Sequence, residues 1–186
     1  MKTKSIFLSA LLMLAAVTVN AESKYERPVK SFEFEPFIGC TYGMAGNVGS
    51  HKVGPAFGIE ARHNLRHAPV DVGVQLYMGT ALSKYQGGDL SCRTFTLMPV
   101  CDYNFNLGKK VSPFVGMGIG LNMYNIIVGS YDNDRTDGTT GIGVMPRAGV
   151  ELGRHLRFTL NAHLGKRIYN TVGLSVGYAF GGGAKH

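Results

Sequence analysis

The chain has 186 residues, carries 19 Lys+Arg against 12 Asp+Glu for a formal charge of +7, and is 45% hydrophobic. A basic balance without any Lys/Arg cluster interleaved with aromatics argues against nucleic acid. Three cysteines, an odd number, exclude a complete disulfide framework. No apolar run reaches the roughly 20 residues that a transmembrane helix needs.

The first 21 residues read as a cleavable secretory signal peptide. Lys2 and Lys4 form a basic start, an apolar core runs from Ile6 to Val19, and Val19-Asn20-Ala21 is small at both positions that determine cleavage. The first cysteine is Cys40, far from that site, so lipoprotein processing is not expected. Cleavage after Ala21 leaves residues 22–186 as a single domain and, by removing Lys2 and Lys4, lowers the charge from +7 to +5.

Downstream of the leader, apolar residues alternate with small or polar ones, the period of a strand whose two faces differ. Strand one, 32–44, turns Phe32, Phe34, Ile38 and Tyr42 one way and Glu33, Glu35, Phe37 and Thr41 the other. Strand two, 53–63, opposes Phe57 and Ile59 to Gly58, Glu60 and Arg62. Strand three, 70–82, opposes Val72, Val74, Leu76 and Met78 to Asp71, Gly73, Gln75 and Tyr77. Strand four, 92–105, is less regular, because Met98 and Val100 join Thr94, Thr96 and Asp102 on the polar side.

Strand five, 113–123, sets Val115, Met117, Ile119 and Leu121 against Gly116, Gly118, Gly120 and Asn122. Strand six, 142–152, sets Ile142, Val144, Ala148 and Val150 against Gly143, Met145, Arg147 and Glu151. Strand seven, 156–164, opposes Phe158 and Leu160 to Arg157, Thr159, Asn161 and His163. Strand eight, 172–180, opposes Leu174, Val176 and Tyr178 to Gly173, Ser175 and Gly177. Ten residues at about 3.3 Å each, tilted about 40°, cover roughly 25 Å, the height of the apolar band of a membrane barrel.

Exported strands of this kind cross a bilayer only as a closed barrel, since hydrocarbon satisfies no backbone hydrogen bond. The predicted fold is therefore an all-β, eight-stranded antiparallel up-and-down transmembrane β-barrel in the outer membrane of a Gram-negative cell. With both termini periplasmic, the connections near 45–52, 83–91, 124–140 and 165–171 are external. The 26 glycines make room for long inward side chains in a narrow interior. Pro36, Pro99 and Pro146 conflict with this reading unless they mark bulges, because a closed barrel uses every strand N–H.

Parity gathers Glu33, Glu35, Glu60, Arg62, Asp71, Asp102, Arg147, Glu151 and Arg157 inside. Buried charges persist only when paired and hydrogen-bonded, so these are expected to form a structural salt-bridge network that fills the lumen. A Gly153-Arg154-His155 turn puts Glu151 opposite Arg157, and the same logic sets Arg62 facing Asp71. His163 lacks a Ser and a carboxylate at triad spacing, so it reads as a polar filler. The run from Asp132 to Gly138 lacks the Gly and Glu of a calcium loop. No catalytic residue, cofactor or metal is expected.

The whole mature chain resembles the small outer-membrane β-barrel family of OmpA/OmpX type, with its porin-like β-barrel domain. The resemblance is carried by the export signal, by Ser112-Pro113-Phe114-Val115-Gly116-Met117-Gly118-Ile119-Gly120 and by the closing Val172-Gly173-Leu174-Ser175-Val176-Gly177-Tyr178-Ala179-Phe180. It implies recognition by the barrel-assembly machinery through the final aromatic, although Gly181 to His186 follow Phe180 here. Expected partners are outer-membrane lipid and lipopolysaccharide, with the barrel monomeric. The expected role is structural support of the envelope or surface interaction, without enzymatic activity. Two alternatives are a lipid-modifying barrel enzyme acting on lipopolysaccharide as deacylase or acyltransferase, and a soluble lipocalin-like binder.

Overall fold

The computed structural model describes residues 30–44, 50–65, 68–85, 88–107, 109–129 and 135–181; the leader at 1–21 and the final residues 182–186 lie outside them. Nine strand segments follow one another: β1 (Phe32–Gly43), β2 (Ser50–Lys52), β3 (Gly54–Asn64), β4 (Val70–Tyr85), β5 (Gly88–Asn104), β6 (Val111–Gly129), β7 (Arg135–Leu152), β8 (Leu156–His163) and β9 (Thr171–Tyr178). β1 pairs antiparallel with β3, β2 and β3 with β4, and each strand from β4 to β8 with the next in sequence. The β1–β9 ladder closes the cylinder between the first and last strands. Segments β2 and β3 both lie along β4 and make one stave, so the barrel has eight.

Period-two patterning sets the faces. Along β3 the alternation of buried and exposed residues follows Ala56, Glu60 and Arg62 inward and Phe57, Ile59 and His63 outward. Large apolar side chains such as Ile38, Met117, Leu160 and Leu174 stand on the outside, whereas Glu33, Asp102, Arg157 and Asn122 are buried within. This inverts the arrangement of a soluble lipocalin-like binder and removes that alternative. Phe32, Phe34, Tyr103, Phe105, Tyr178 and Phe180 are exposed near one rim, where Tyr103 packs edge-on against Phe105 and Tyr178 against Phe180.

The two ends differ. At the aromatic rim β7 and β8 are joined by the three-residue turn Gly153–His155, in which Gly153 (φ 61°) and Arg154 (φ 69°) are left-handed and His155 N–H donates to the Leu152 carbonyl at 3.3 Å. At the opposite end the hairpins are longer than predicted. Segments 83–91 and 124–140 are largely strand: β4 reaches Tyr85 before β5 starts at Gly88, and β6 reaches Gly129 before β7 starts at Arg135. Parity fades there because neither face of a hairpin beyond the apolar band has to be apolar, while ladder bonds persist, as from Ile126 to Asp137.

The in-strand prolines resolve without the expected bulges. Phe34 exchanges both backbone bonds with Phe180, so the N position of Pro36, two residues on, faces β9; there the ladder lapses, resuming in the same register at Phe37 and Gly177. The β5–β6 ladder likewise lapses at Pro99, between Leu97–Leu121 and Val100–Gly118. The β7–β8 ladder lapses at Pro146, between Val144–Leu164 and Arg147–Asn161. On its other side each proline stays in register, opposite Ile59, Val74 or Met117. Each proline thus deletes hydrogen bonding on one side only, and the outward ring faces the surroundings of the barrel.

A bulge does occur, at Val53 between β2 and β3, where Lys52 and Val53 are exposed in succession. Lys52 pairs with Leu82 and Ala56 with Gly79, so three residues of the β2–β3 stave oppose two of β4. The extra residue reverses the parity of β2 relative to β3.

Candidate functional site

Strand parity delivers nine charged side chains to the interior, and all nine are buried, from Asp102 at 0% exposure to Glu151 at 9%. Register decides which of them meet. Asp102 on β5, Gly116 on β6 and Arg147 on β7 lie side by side in one row. Gly116 has no side chain, so Arg147 passes over it: Nε donates to Asp102 Oδ1 at 2.7 Å and Nη2 to Asp102 Oδ2 at 2.7 Å. The far side of the same guanidinium crosses the lumen to β3, with Nη1 donating to Glu60 Oε2 at 2.5 Å and Nη2 to Glu60 Oε1 at 2.8 Å.

Arg62 forms the second node. Its Nη2 donates to Glu33 Oε2 at 2.8 Å and its Nη1 to Glu35 Oε2 at 2.6 Å, with Glu60 Oε1 at 3.4 Å. Arg157 is the third. It donates to Asp102 through Nη2, stands 3.9 Å from Glu151 and 4.0 Å from Glu35, and lays its guanidinium over the Phe114 ring at 3.6 Å. Glu151 and Arg157 are opposite in register, across the Gly153–His155 turn.

One pairing differs from expectation. Arg62 faces Gly73, not Asp71, because β3 runs on to Asn64, and it is Asn64 that stands opposite Asp71. The bare Gly73 backbone leaves space for the Arg62 stem to turn toward β1, where Glu33 and Glu35 wait. Asp71 instead accepts a hydrogen bond from Asn104 Nδ2 at 2.5 Å.

Amides complete the cluster: Asn64 donates to Glu33 at 3.0 Å and Gln75 to Glu60 at 2.8 Å. Sequence reading assigned these residues no role, although parity already turned Gln75 inward. It also passed over Phe114, an inward aromatic opposite Gly149. Three guanidiniums thereby hold five carboxyls, with Asp71 held by Asn104 instead, and tie β1, β3, β5, β7 and β8 to one another through the interior. The arrangement contains no activated nucleophile; chemically it can brace a wall and block a passage.

Farther toward the long hairpins the filling becomes apolar and aromatic. Met98, Val100 and Met145 form one buried cluster, and Phe37, Ala56 and Tyr77 another. His163 stacks on Tyr77 with centroids 4.1 Å apart. It is 1% exposed, and neither ring nitrogen has a hydrogen-bond partner among the described residues. Since a general base needs the nucleophile and orienting acid within hydrogen-bond reach, His163 is not built as one. At the mouth, the turn of 3-10 helix Arg167–Tyr169 folds Tyr169 inward, stacked on Tyr124 with centroids 4.4 Å apart and packed with Ala81 and Cys92. No alternation exists in that connection to signal this cap.

Among known proteins, residues 7–180 match the family of the outer membrane protein beta-barrel domain. A search of curated proteins returns no match. Among solved structures, Neisserial surface protein A superposes with a TM-score of 0.53 at 14% identity, covering 81% of this chain and 96% of that one. The attachment invasion locus protein Ail of Yersinia pestis gives 0.50 at 13% identity, with 82% and 99% covered. At these identities the likeness shows the fold. It agrees with the family match in full, and the chain belongs to the outer membrane protein β-barrel domain family, whose place is the Gram-negative outer membrane.

Proposed function

We propose that this protein is a non-enzymatic barrel that supports the outer membrane and presents its long hairpins for surface interaction, with a lumen closed to solutes. The observation that carries the reading is the cross-lumen brace, in which Arg147 on β7 reaches Glu60 on the opposite stave, β3, while also holding Asp102 on β5. A water-filled pore would leave such groups hydrated and apart; here they are buried and mutually satisfied. The Tyr124–Tyr169 stack closes the other end. Since short turns in such barrels are periplasmic and long connections external, the β4–β5 and β6–β7 hairpins project from the cell. Two similar structures bear the names of a surface protein and an attachment protein, which favours display as the role of those hairpins.

The lipid-modifying alternative requires a Ser, His and acid assembled near the outer rim. Among the described residues the inward His163 is paired with an aromatic ring and with no carboxylate, so His163 gives the enzymatic reading no support. Planar-bilayer recording of the purified full barrel tests the proposal. The expected trace is quiet or shows only brief, small events; steady openings on the nanosiemens scale contradict a closed lumen.

A further inference from the structure

Among the described residues, the outer wall of the barrel carries a concave apolar feature with two cations beside it. A groove of about 270 Å³ runs along the lipid-facing side of β3, β4 and β5, between Phe57, Ile59, Leu76, Met78 and Phe95, with Gly58 at its floor. Phe57, Met78 and Phe95 stand in one lateral row. Two residues farther out on β5, Arg93 pairs with Thr80, and farther still Lys52 pairs with Leu82. Both cations therefore point outward, above the groove and toward the external rim. Among strand residues whose side chains are described, they are the only Lys or Arg residues on the outward face.

Lys52 is there because of the bulge at Val53. In an unbroken register it would pair with Ser83 and turn into the lumen; the inserted residue sends it out beside Leu82. Neither Lys52 nor Arg93 forms an ion pair or hydrogen bond with a described residue. A cation on a lipid-facing surface is tolerated when its aliphatic stem lies along apolar neighbours and its head reaches an anionic headgroup.

We infer that this face is a binding site for the acyl chain and phosphorylated headgroup of lipopolysaccharide. The groove takes one acyl chain, and Lys52 and Arg93 take phosphate. Flanking β4, the two cations are offset by two strand spacings laterally and two residues along the strands, so their backbones stand roughly 12 Å apart, which suits a headgroup bearing two phosphates better than the single phosphate of a phospholipid. A second copy of the chain is disfavoured as occupant, because a two-fold contact over this face would bring both cation pairs together in a medium of low dielectric constant. The inference depends on placement in the outer membrane and not on whether the lumen is closed.

The test is native mass spectrometry of the full barrel, refolded in detergent without lipopolysaccharide and titrated with purified diphosphoryl lipid A or, separately, with phosphatidylglycerol. Folding of every variant is checked by heat-modifiable gel migration. The expected result is one lipid A per barrel at low concentration, weakened at least ~10-fold by Lys52→Ser with Arg93→Ser, since two charge-assisted contacts are lost. Met78→Trp, which fills the groove from the lipid side, is expected to weaken it as well. Lys109→Ser with Lys110→Ser, exposed at the other rim, is expected to bind as the wild type does. Unchanged lipid A binding by the Lys52/Arg93 variant overturns the inference. So does equal loss in the Lys109/Lys110 variant, or phosphatidylglycerol binding as tightly through the same residues.

Discussion

Arg147 and Asp102 sit on strands that are not neighbours, yet two hydrogen bonds of 2.7 Å join them across the bare backbone of Gly116. A Cβ at position 116 would run into Asp102 Oδ1 and the Cys101 carbonyl oxygen. The same device recurs where Glu35 lies over Gly177 and where the Phe114 ring lies over Gly149. In a cylinder of eight strands, each long inward side chain needs an adjacent stave with nothing to put in its way.

Gly116→Ala is therefore expected to destabilise the folded barrel by ~1–3 kcal/mol, the usual range for overpacking a filled interior. Urea unfolding in detergent, followed by loss of the fast-migrating folded band, measures it. An unchanged midpoint would mean that Arg147 and Asp102 do not need that row to be empty.

Removing Arg147 alone leaves Glu60 and Asp102 buried without their bidentate partner. Arg147→Met is expected to cost ~3–5 kcal/mol, the range for breaking a buried ion pair from one side. Adding Glu60→Gln and Asp102→Asn to that variant should recover part of the loss, because the groups share one network and their effects do not add. The comparison of single and triple variants by the same unfolding assay checks both statements.

The prolines give an opposite sign. Pro146 has an intact ladder toward β6 and a lapse toward β8, with the register the same on both sides of the lapse. Pro146→Val restores a donor where an acceptor strand is already in place, and is expected to stabilise by about 1 kcal/mol, the net value of a typical hydrogen bond. Pro99→Val, facing β6, should behave alike. A loss of stability in both would show that these sites depend on the fixed proline backbone.

The cap at the mouth is testable through Cys92, which lies in the same buried cluster as Tyr169. In a Cys40→Ala, Cys101→Ala background, Cys92 is expected to resist a water-soluble maleimide, and Tyr169→Ala should raise its labelling rate by at least ~10-fold, as expected when a burying contact is opened. Equal rates with and without the Tyr169 side chain would place the closure elsewhere.

The legibility of this chain follows the physics of each region. Where hydrocarbon lies outside and packed polar groups lie inside, every second residue is constrained, so Glu60, Arg62, Arg147 and Arg157 could be assigned to the lumen from their neighbours' parity. Pairing across strands was legible only where a tight turn fixes the register, as for Glu151 and Arg157. Arg62 was misassigned to Asp71 because the length of the β3–β4 connection does not follow from parity. The hairpin extensions past Leu82 and Met123 escaped notice since water surrounds both faces there. Tyr169 folds inward from a connection with no periodicity, and the bulge that redirects Lys52 shows only in the pairing of β2 and β3 with β4.

The most direct test is a cysteine scan of β5 in a background without native cysteines, in proteoliposomes. Thr94 and Thr96 are buried inside, at 2% and 0% exposure, whereas Phe95 and Leu97 stand outside at 41% and 43%. Phe95→Cys and Leu97→Cys are expected to react with a lipid-soluble maleimide, while Thr94→Cys and Thr96→Cys stay unmodified by lipid-soluble and water-soluble reagents alike until the barrel is denatured. Rapid labelling of Thr96→Cys in the folded protein by the water-soluble reagent would contradict a closed interior.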